Sequence, residues 1–380
     1  MTAQATLDGQ PLTLKSYLKT KPYPDVYFDT VNMCAMIDSS IPILLVAPPS
    51  GAKTTIIKVL EKYYETKRFV YALERISPMR FLKLQDQMNG MDNLLLSEDF
   101  STLGDEEGAV FKMATIIAKL SYDKKYIDPF FTTKESPEGL RLIVKSLAFV
   151  CGMQPLWLQI YGAKEVFETL IMEKILRYYR LPIMAIKEIA KQTLVIESVL
   201  QALRETNPAS YTVKDEQVKA IAHSLAFQCG ARGIEYANLF ATALSNYVPE
   251  PLFNEWLYQT AHRFEFENKF MLRGYEPLKT GIKHEALYRE YTVLFFAFQY
   301  FPCTYDMIRR FCKIRGKNTN ATKRYMRLLI RYGLESGYIT VHRSKKLLIL
   351  PSKDYRPLSM ETLTVKSLTT ENPLKPSERS

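Results

Sequence analysis

The chain has 380 residues, 51 of them lysine or arginine against 40 aspartate or glutamate, a formal net charge of +11. Apolar residues make up 47%, enough to bury the cores of two or three domains, and no apolar run reaches the length of a membrane span. No basic-then-apolar leader opens the sequence, and the scattered cysteines (Cys34, Cys151, Cys229, Cys303, Cys312) form no C-x-x-C pair; the expectation is a cytoplasmic, globular protein without a membrane partner, disulfide framework or structural zinc.

Residues 1–20 read as a flexible N-terminus, and 21–185 as an α/β domain. Its most informative segment runs from Leu44 to Thr55. An apolar run suited to a buried strand leads through Ala47-Pro48-Pro49-Ser50-Gly51-Ala52 into Lys53-Thr54-Thr55. This follows the phosphate-loop pattern G-x-x-x-x-G-K-[ST], with alanine at 47 and 52 where the pattern has glycine. In such a loop backbone N–H groups and a helix N-terminus face the anion, the lysine reaches the outer phosphates and the hydroxyl binds magnesium. Ser50, Gly51, Ala52, Lys53, Thr54 and Thr55 are the candidate nucleotide-binding residues, with ATP and Mg2+ the expected ligands. Alanine in a left-handed conformation costs about 1 kcal/mol or more, and Gly51 takes over part of the glycine role. The bland alternative is a helix start capped by Ser50, with Lys53 solvated.

Asn93 to Phe100 is an apolar run ending in Glu98 and Asp99, the expected ligand-edge acids of a second strand. Asp99 is assigned to the metal with Thr54, and Glu98 to the attacking water; the two can exchange roles. Adjacent strand residues face opposite ways, so only one sits squarely in the site. A third strand spans Arg141–Met153 and ends at Gln154, beside Pro155. Arg177 and Arg180 follow in Ile175–Pro182, either as arginine fingers offered to a neighbouring subunit of a homo-oligomer or as surface charges.

Residues 186–275 read as all-helical, with Gly230-Ala231-Arg232-Gly233 interrupting the pattern. Between Lys283 and Arg356 stand 16 basic and 5 acidic residues, a net +11 that equals the surplus of the whole chain. Helices are expected over Tyr291–Phe301, Thr304–Lys313 and Thr319–Glu335, followed by a hairpin of Tyr338–His342 and Leu347–Leu350: an α+β winged helix-turn-helix over 283–356. Lys323, Arg327 and Arg331 share one helical face with Arg324 beside them, and Arg343, Lys345 and Lys346 mark the wing tip. Together with Asn320 as a base reader they point to double-stranded DNA, the alternative being a basic protein-binding module. The tail 357–380 is Ser/Thr/Pro/Lys-rich and reads as disordered.

The series Ala47–Thr55, Leu94–Asp99 and Leu147–Gln154 resembles P-loop ATPases of the AAA+ and origin-recognition type, and those of archaeal and phage-type mobile elements, in which Asp-Phe-Ser/Thr follows the third strand, here Asp99-Phe100-Ser101. The likeness covers roughly residues 20–250 at motif level. It implies an α/β P-loop NTPase sheet with a helical lid, Gln154 as a γ-phosphate sensor and Arg232 as a lid-helix sensor. The implied function is an ATP-dependent DNA-binding factor of replication initiation or mobile-element maintenance. The alternatives are a winged-helix regulator or assembly protein on a non-hydrolysing scaffold, and a helicase or packaging motor.

Overall fold

The computed structural model describes residues 6–7, 10–47, 51–74, 77–103, 107–128, 140–154, 174–180, 191–206, 211–271, 303–304, 339–343 and 347–351. They fall into two compact units, one holding the described residues up to Met271 and the other the strands from Cys303 onward.

The first unit begins with a short antiparallel pair, β1 (Thr6–Leu7) and β2 (Gln10–Pro11), and then α1 (Leu14–Lys19). Here the structure departs from the flexible N-terminus read from sequence. Thr13 and Ser16 cap the helix reciprocally, at 2.9 and 3.1 Å. Leu14 and Leu18, one turn apart, are buried, and the Leu14 N–H donates to Glu255 Oε2 at 2.7 Å. Two apolar residues on one face sufficed to fix a short segment whose polar neighbours masked the pattern. α2 (Pro24–Asp38) follows, buried at every position from Asp25 to Ile37.

The sheet is built from β3 (Ile43–Val46), β4 (Phe69–Ala72), β5 (Asp92–Ser97), β8 (Ser146–Met153) and β9 (Leu176–Tyr179). All pairings are parallel and the order is β4-β5-β8-β3-β9. A parallel strand covered on both faces must be apolar throughout, which is why β3, β5 and β8 read as continuous runs of Leu, Ile, Val and Phe. In register, Leu44 lies opposite Cys151 on one side and Arg177 on the other.

α3 (Lys53–Tyr64) follows β3, and α4 (Pro78–Leu82) and α5 (Gln85–Met88) follow β4. α6 (Glu107–Asp123) follows β5, and an antiparallel hairpin of β6 (Lys125–Asp128) and β7 (Leu140–Ile143) leads back to β8. One face of the sheet packs on α6 through a core that includes Leu44, Phe149, Phe81, Met113 and Ile117.

The helical segment consists of α7 (Gln192–Arg204), α8 (Asp215–Cys229), α9 (Ala231–Leu244) and α10 (Phe253–Met271). α7 lies against α3 and α2, α9 against α2, and α8 and α10 against β9. These helices belong to the same compact unit as the sheet. Among the described residues no helix is long and apolar enough to cross a membrane.

In the second unit β11 (Ile339–Arg343) and β12 (Leu347–Pro351) form an antiparallel hairpin, with Arg343 opposite Leu347. β10 (Cys303–Thr304) pairs with the outer side of β12, so Thr304, read as the first residue of a helix, lies in a strand. Apart from Thr304, the three helices read from sequence between 291 and 335 lie outside the described residues.

Candidate functional site

Because the five strands are parallel, their C-terminal ends, Ala72, Ser97, Met153, Val46 and Tyr179, share one edge. Insertion of β8 between β3 and β5 places the Gln154 end between the loop after β3 and the acidic turn after β5. Open parallel sheets bind ligands at this edge.

Along β3, the Ala47 N–H donates to the Met153 carbonyl at 3.1 Å, and the Arg180 N–H to the Val46 carbonyl at 2.9 Å. Ser50 lies outside the described residues. Ala52 is the cap of α3, at φ 58° and ψ 21°, a left-handed conformation that costs a residue with a Cβ about 1–2 kcal/mol. Lys53 opens the helix and is 8% exposed; its Nζ donates to the Ala47 carbonyl at 2.7 Å. Burial lowers its pKa to about 8, the carboxylate of Asp99 opposing and the guanidinium of Arg180 adding to the shift. The hydroxyl of Thr55, also buried, accepts from Gln192 Nε2 at 3.3 Å. Lys53 is thus a sequestered cation at the mouth of the loop.

Thr54 Oγ1 meets Glu98 Oε2 at 3.3 Å, and Lys58 Nζ stands 3.7 Å from Glu98 Oε1. Asp99 turns the other way. Its Oδ1 accepts from the backbone and hydroxyl of Ser101, at 3.0 and 2.8 Å, capping the single turn Phe100–Thr102. Its Oδ2 accepts from Gln154 Nε2 at 3.4 Å. The pair the structure joins is therefore Thr54 with Glu98, and Asp99 with Gln154. A hydroxyl and a carboxylate at this spacing match the all-oxygen ligation of a hard cation such as Mg2+.

Gly152 was not singled out in the sequence, yet it makes this arrangement sterically possible. A Cβ at this place in β8 would overlap the Glu98 carbonyl and come within 3.5 Å of Lys53 Cδ. The signal in the sequence is an isolated glycine inside a strand pattern, which marks close backbone approach.

Arg177 and Arg180 are 6% and 1% exposed, so neither is displayed as an arginine finger or a surface charge. The Arg177 N–H donates to Gln228 Oε1 at 2.7 Å, and its carbonyl accepts from Gln228 Nε2 at 2.9 Å. Arg180 Nε donates to Asp29 Oδ2 at 2.8 Å, and its Nη1 donates to the Gly51 carbonyl. Asp29 is fully buried. Desolvation pushes its carboxyl pKa up, against Arg180, Arg263 and the Tyr178 hydroxyl, which favour the ionised form. A charge on a strand reads as surface only until its buried partner is known.

Arg232 lies elsewhere. Its guanidinium sits 4.5 Å from the ring of Tyr122, near the end of α6. α6 leaves the acidic edge and ends where β8 begins, with the Val144 N–H donating to the Lys124 carbonyl at 3.0 Å. One turn on in α9, Tyr236 donates to the Lys174 carbonyl at 3.2 Å, just before β9 starts. Arg232 therefore stands at the opposite edge of the sheet from Lys53, and the lid-sensor assignment is corrected.

Of the residues assigned to DNA, Arg343 ends β11, whereas Asn320, Lys323, Arg324, Arg327, Arg331, Lys345 and Lys346 lie outside the described residues. No protein-family model and no curated protein matches this chain.

Proposed function

We propose that the first unit binds ATP with Mg2+ at the junction of β3 and α3, and that the basic C-terminal region binds double-stranded DNA. On this reading the chain is an ATP-dependent DNA-binding factor of replication initiation or mobile-element maintenance. One observation carries the nucleotide reading: Lys53, the Thr54–Glu98 pair and the Asp99–Gln154 pair, from the ends of three different strands, converge on one sheet edge.

Each group has a task in phosphoryl chemistry. Lys53, released from the Ala47 carbonyl, would place its ammonium on the outer phosphates, and Thr54 and Glu98 would hold the metal. When bound, Mg2+ would supply neutralisation of the phosphate charge. Asp99 accepts a proton from the attacking water while Gln154 orients it. In the C-terminal region the surplus of cations neutralises DNA phosphates, and a hairpin of β11 and β12 suits a wing.

A second reading, a winged-helix regulator on a scaffold that binds nucleotide without hydrolysing it, is favoured by the left-handed alanine at 52. ATP binding and hydrolysis by the full chain, with and without duplex DNA and beside Lys53→Ala, decide between them. Turnover lost in Lys53→Ala supports the ATP-dependent factor. Binding without turnover supports the second reading, and neither binding nor turnover removes the nucleotide site.

A further inference from the structure

We infer that Arg180 is a positioning residue for the phosphate loop: its buried guanidinium bridges Asp29 and the Gly51 carbonyl, and so fixes the Gly51–Ala52 peptide although position 52 carries a Cβ. The inference rests on the nucleotide-binding reading only for what the loop holds. The anchoring itself belongs to the unliganded chain.

The geometry of the peptide unit explains how it works. A trans peptide is planar, and its carbonyl and N–H point in opposite directions. Gripping the Gly51 carbonyl from the core side therefore aims the Ala52 N–H away from Arg180. Ala52 is left-handed, a conformation its Cβ disfavours, and relaxing it to the right-handed region would rotate this peptide plane. Strained residues persist where their surroundings over-determine them. A hydrogen bond from a charged donor is stronger than one between neutral groups, and this one is buried.

The anchor is itself held. Asp29 accepts from the Tyr178 hydroxyl at 2.7 Å and faces Arg263 Nε at 3.9 Å. Asn32 donates to that hydroxyl at 2.8 Å and accepts from Trp256 at 2.9 Å and Thr260 at 3.1 Å. α2, β9 and α10 thus all brace one guanidinium. Buried ion pairs seldom add net stability over apolar packing of the same volume, which directs attention to what this one orients.

The test is hydrogen exchange of peptides covering residues 47–56 in the unliganded full chain, for wild type, Arg180→Lys, Ala52→Gly and the double variant. Lysine keeps a charge beside Asp29 but lacks the fork that reaches both partners. Arg180→Lys is expected to speed exchange of the loop amides roughly tenfold with α2 and α10 unchanged, and by less than about threefold in the Ala52→Gly background. Equal effects in both backgrounds, no effect, or faster exchange spread through α2, β9 and α10 would overturn the inference. Should Arg180→Lys fail to fold, Asp29→Asn, which loosens the same guanidinium, is put through the same comparison. Titration of each variant with Mg2+ and ATP separates the two claims. Wild type that fails to bind ends the nucleotide reading, while the exchange data still decide the anchor.

Discussion

Thr54 and Glu98 meet at 3.3 Å across the sheet edge, while Asp99, the next residue, turns to Ser101 and Gln154. Glu98 and Asp99 both lie just past the end of β5, and the turn there sends the two carboxylates to different partners. Glu98→Gln is expected to reduce ATP affinity in Mg2+ to the level seen in EDTA. Asp99→Asn should leave Mg2+-dependent binding intact and lower any turnover about 100-fold or more. Reversed phenotypes would return the metal to Asp99.

The lysine of the loop carries a pH signature. Its folded pKa is lowered to about 8 from the usual 10.5, chiefly by burial. Between those values the unfolded chain binds more protons than the folded one, so this group's contribution to stability rises with pH across that window. The penalty for burying the charge, roughly 3 kcal/mol, is present in full below pH 8. Phosphate needs the ammonium, so ATP affinity should fall roughly tenfold between pH 7 and 9. Calorimetry near pH 8 in buffers of different ionisation enthalpy should register proton uptake on binding. Affinity that is flat with pH would contradict this.

Two glycines separate steric cost from function. A Cβ on Gly152 would overlap the Glu98 carbonyl, and one on Gly233 the Leu225 carbonyl. Each Gly→Ala change is expected to destabilise by about 1–3 kcal/mol, seen as a Tm lower by several degrees. Only Gly152→Ala should also weaken nucleotide binding, because Gly233 lies in α9, distant from the loop.

At Ala52 the expected sign is opposite. Glycine adopts φ 58° without a Cβ penalty, so Ala52→Gly should stabilise by up to about 1 kcal/mol in a denaturant titration. A loss of stability would mean that the left-handed backbone is not strained at this place.

For the C-terminal region the readout is salt. Replacing Lys323, Arg327 or Arg331 by alanine should each reduce the slope of log affinity against log salt for duplex DNA by about 1, measured by fluorescence anisotropy. Slopes unchanged from wild type would favour a protein partner for the basic surplus.

Much of the sheet was legible because buried parallel strands are apolar runs bounded by turns, and the Lys53–Thr54 pair after such a run is a local pattern. Glu98 and Asp99 were visible for the same reason, but the exchange of their partners was not, since it depends on how the turn after β5 meets α3. The segment Pro24–Asp38 escaped notice because a helix buried at nearly every position lacks the polar stripe that declares a period.

The amino-acid sequence by itself determined the α/β character of the first unit, the Lys53–Thr54 pair that follows an apolar strand, and the concentration of positive charge near the C-terminus. Tertiary structure alone decided the strand order that sets Gln154 beside Asp99, the burial of Arg180 and the remoteness of Arg232. The physical reason is range. Periodicity and turn chemistry are local, whereas Arg180 takes its meaning from Asp29, 151 residues earlier, and no local pattern states which buried carboxylate a guanidinium will find.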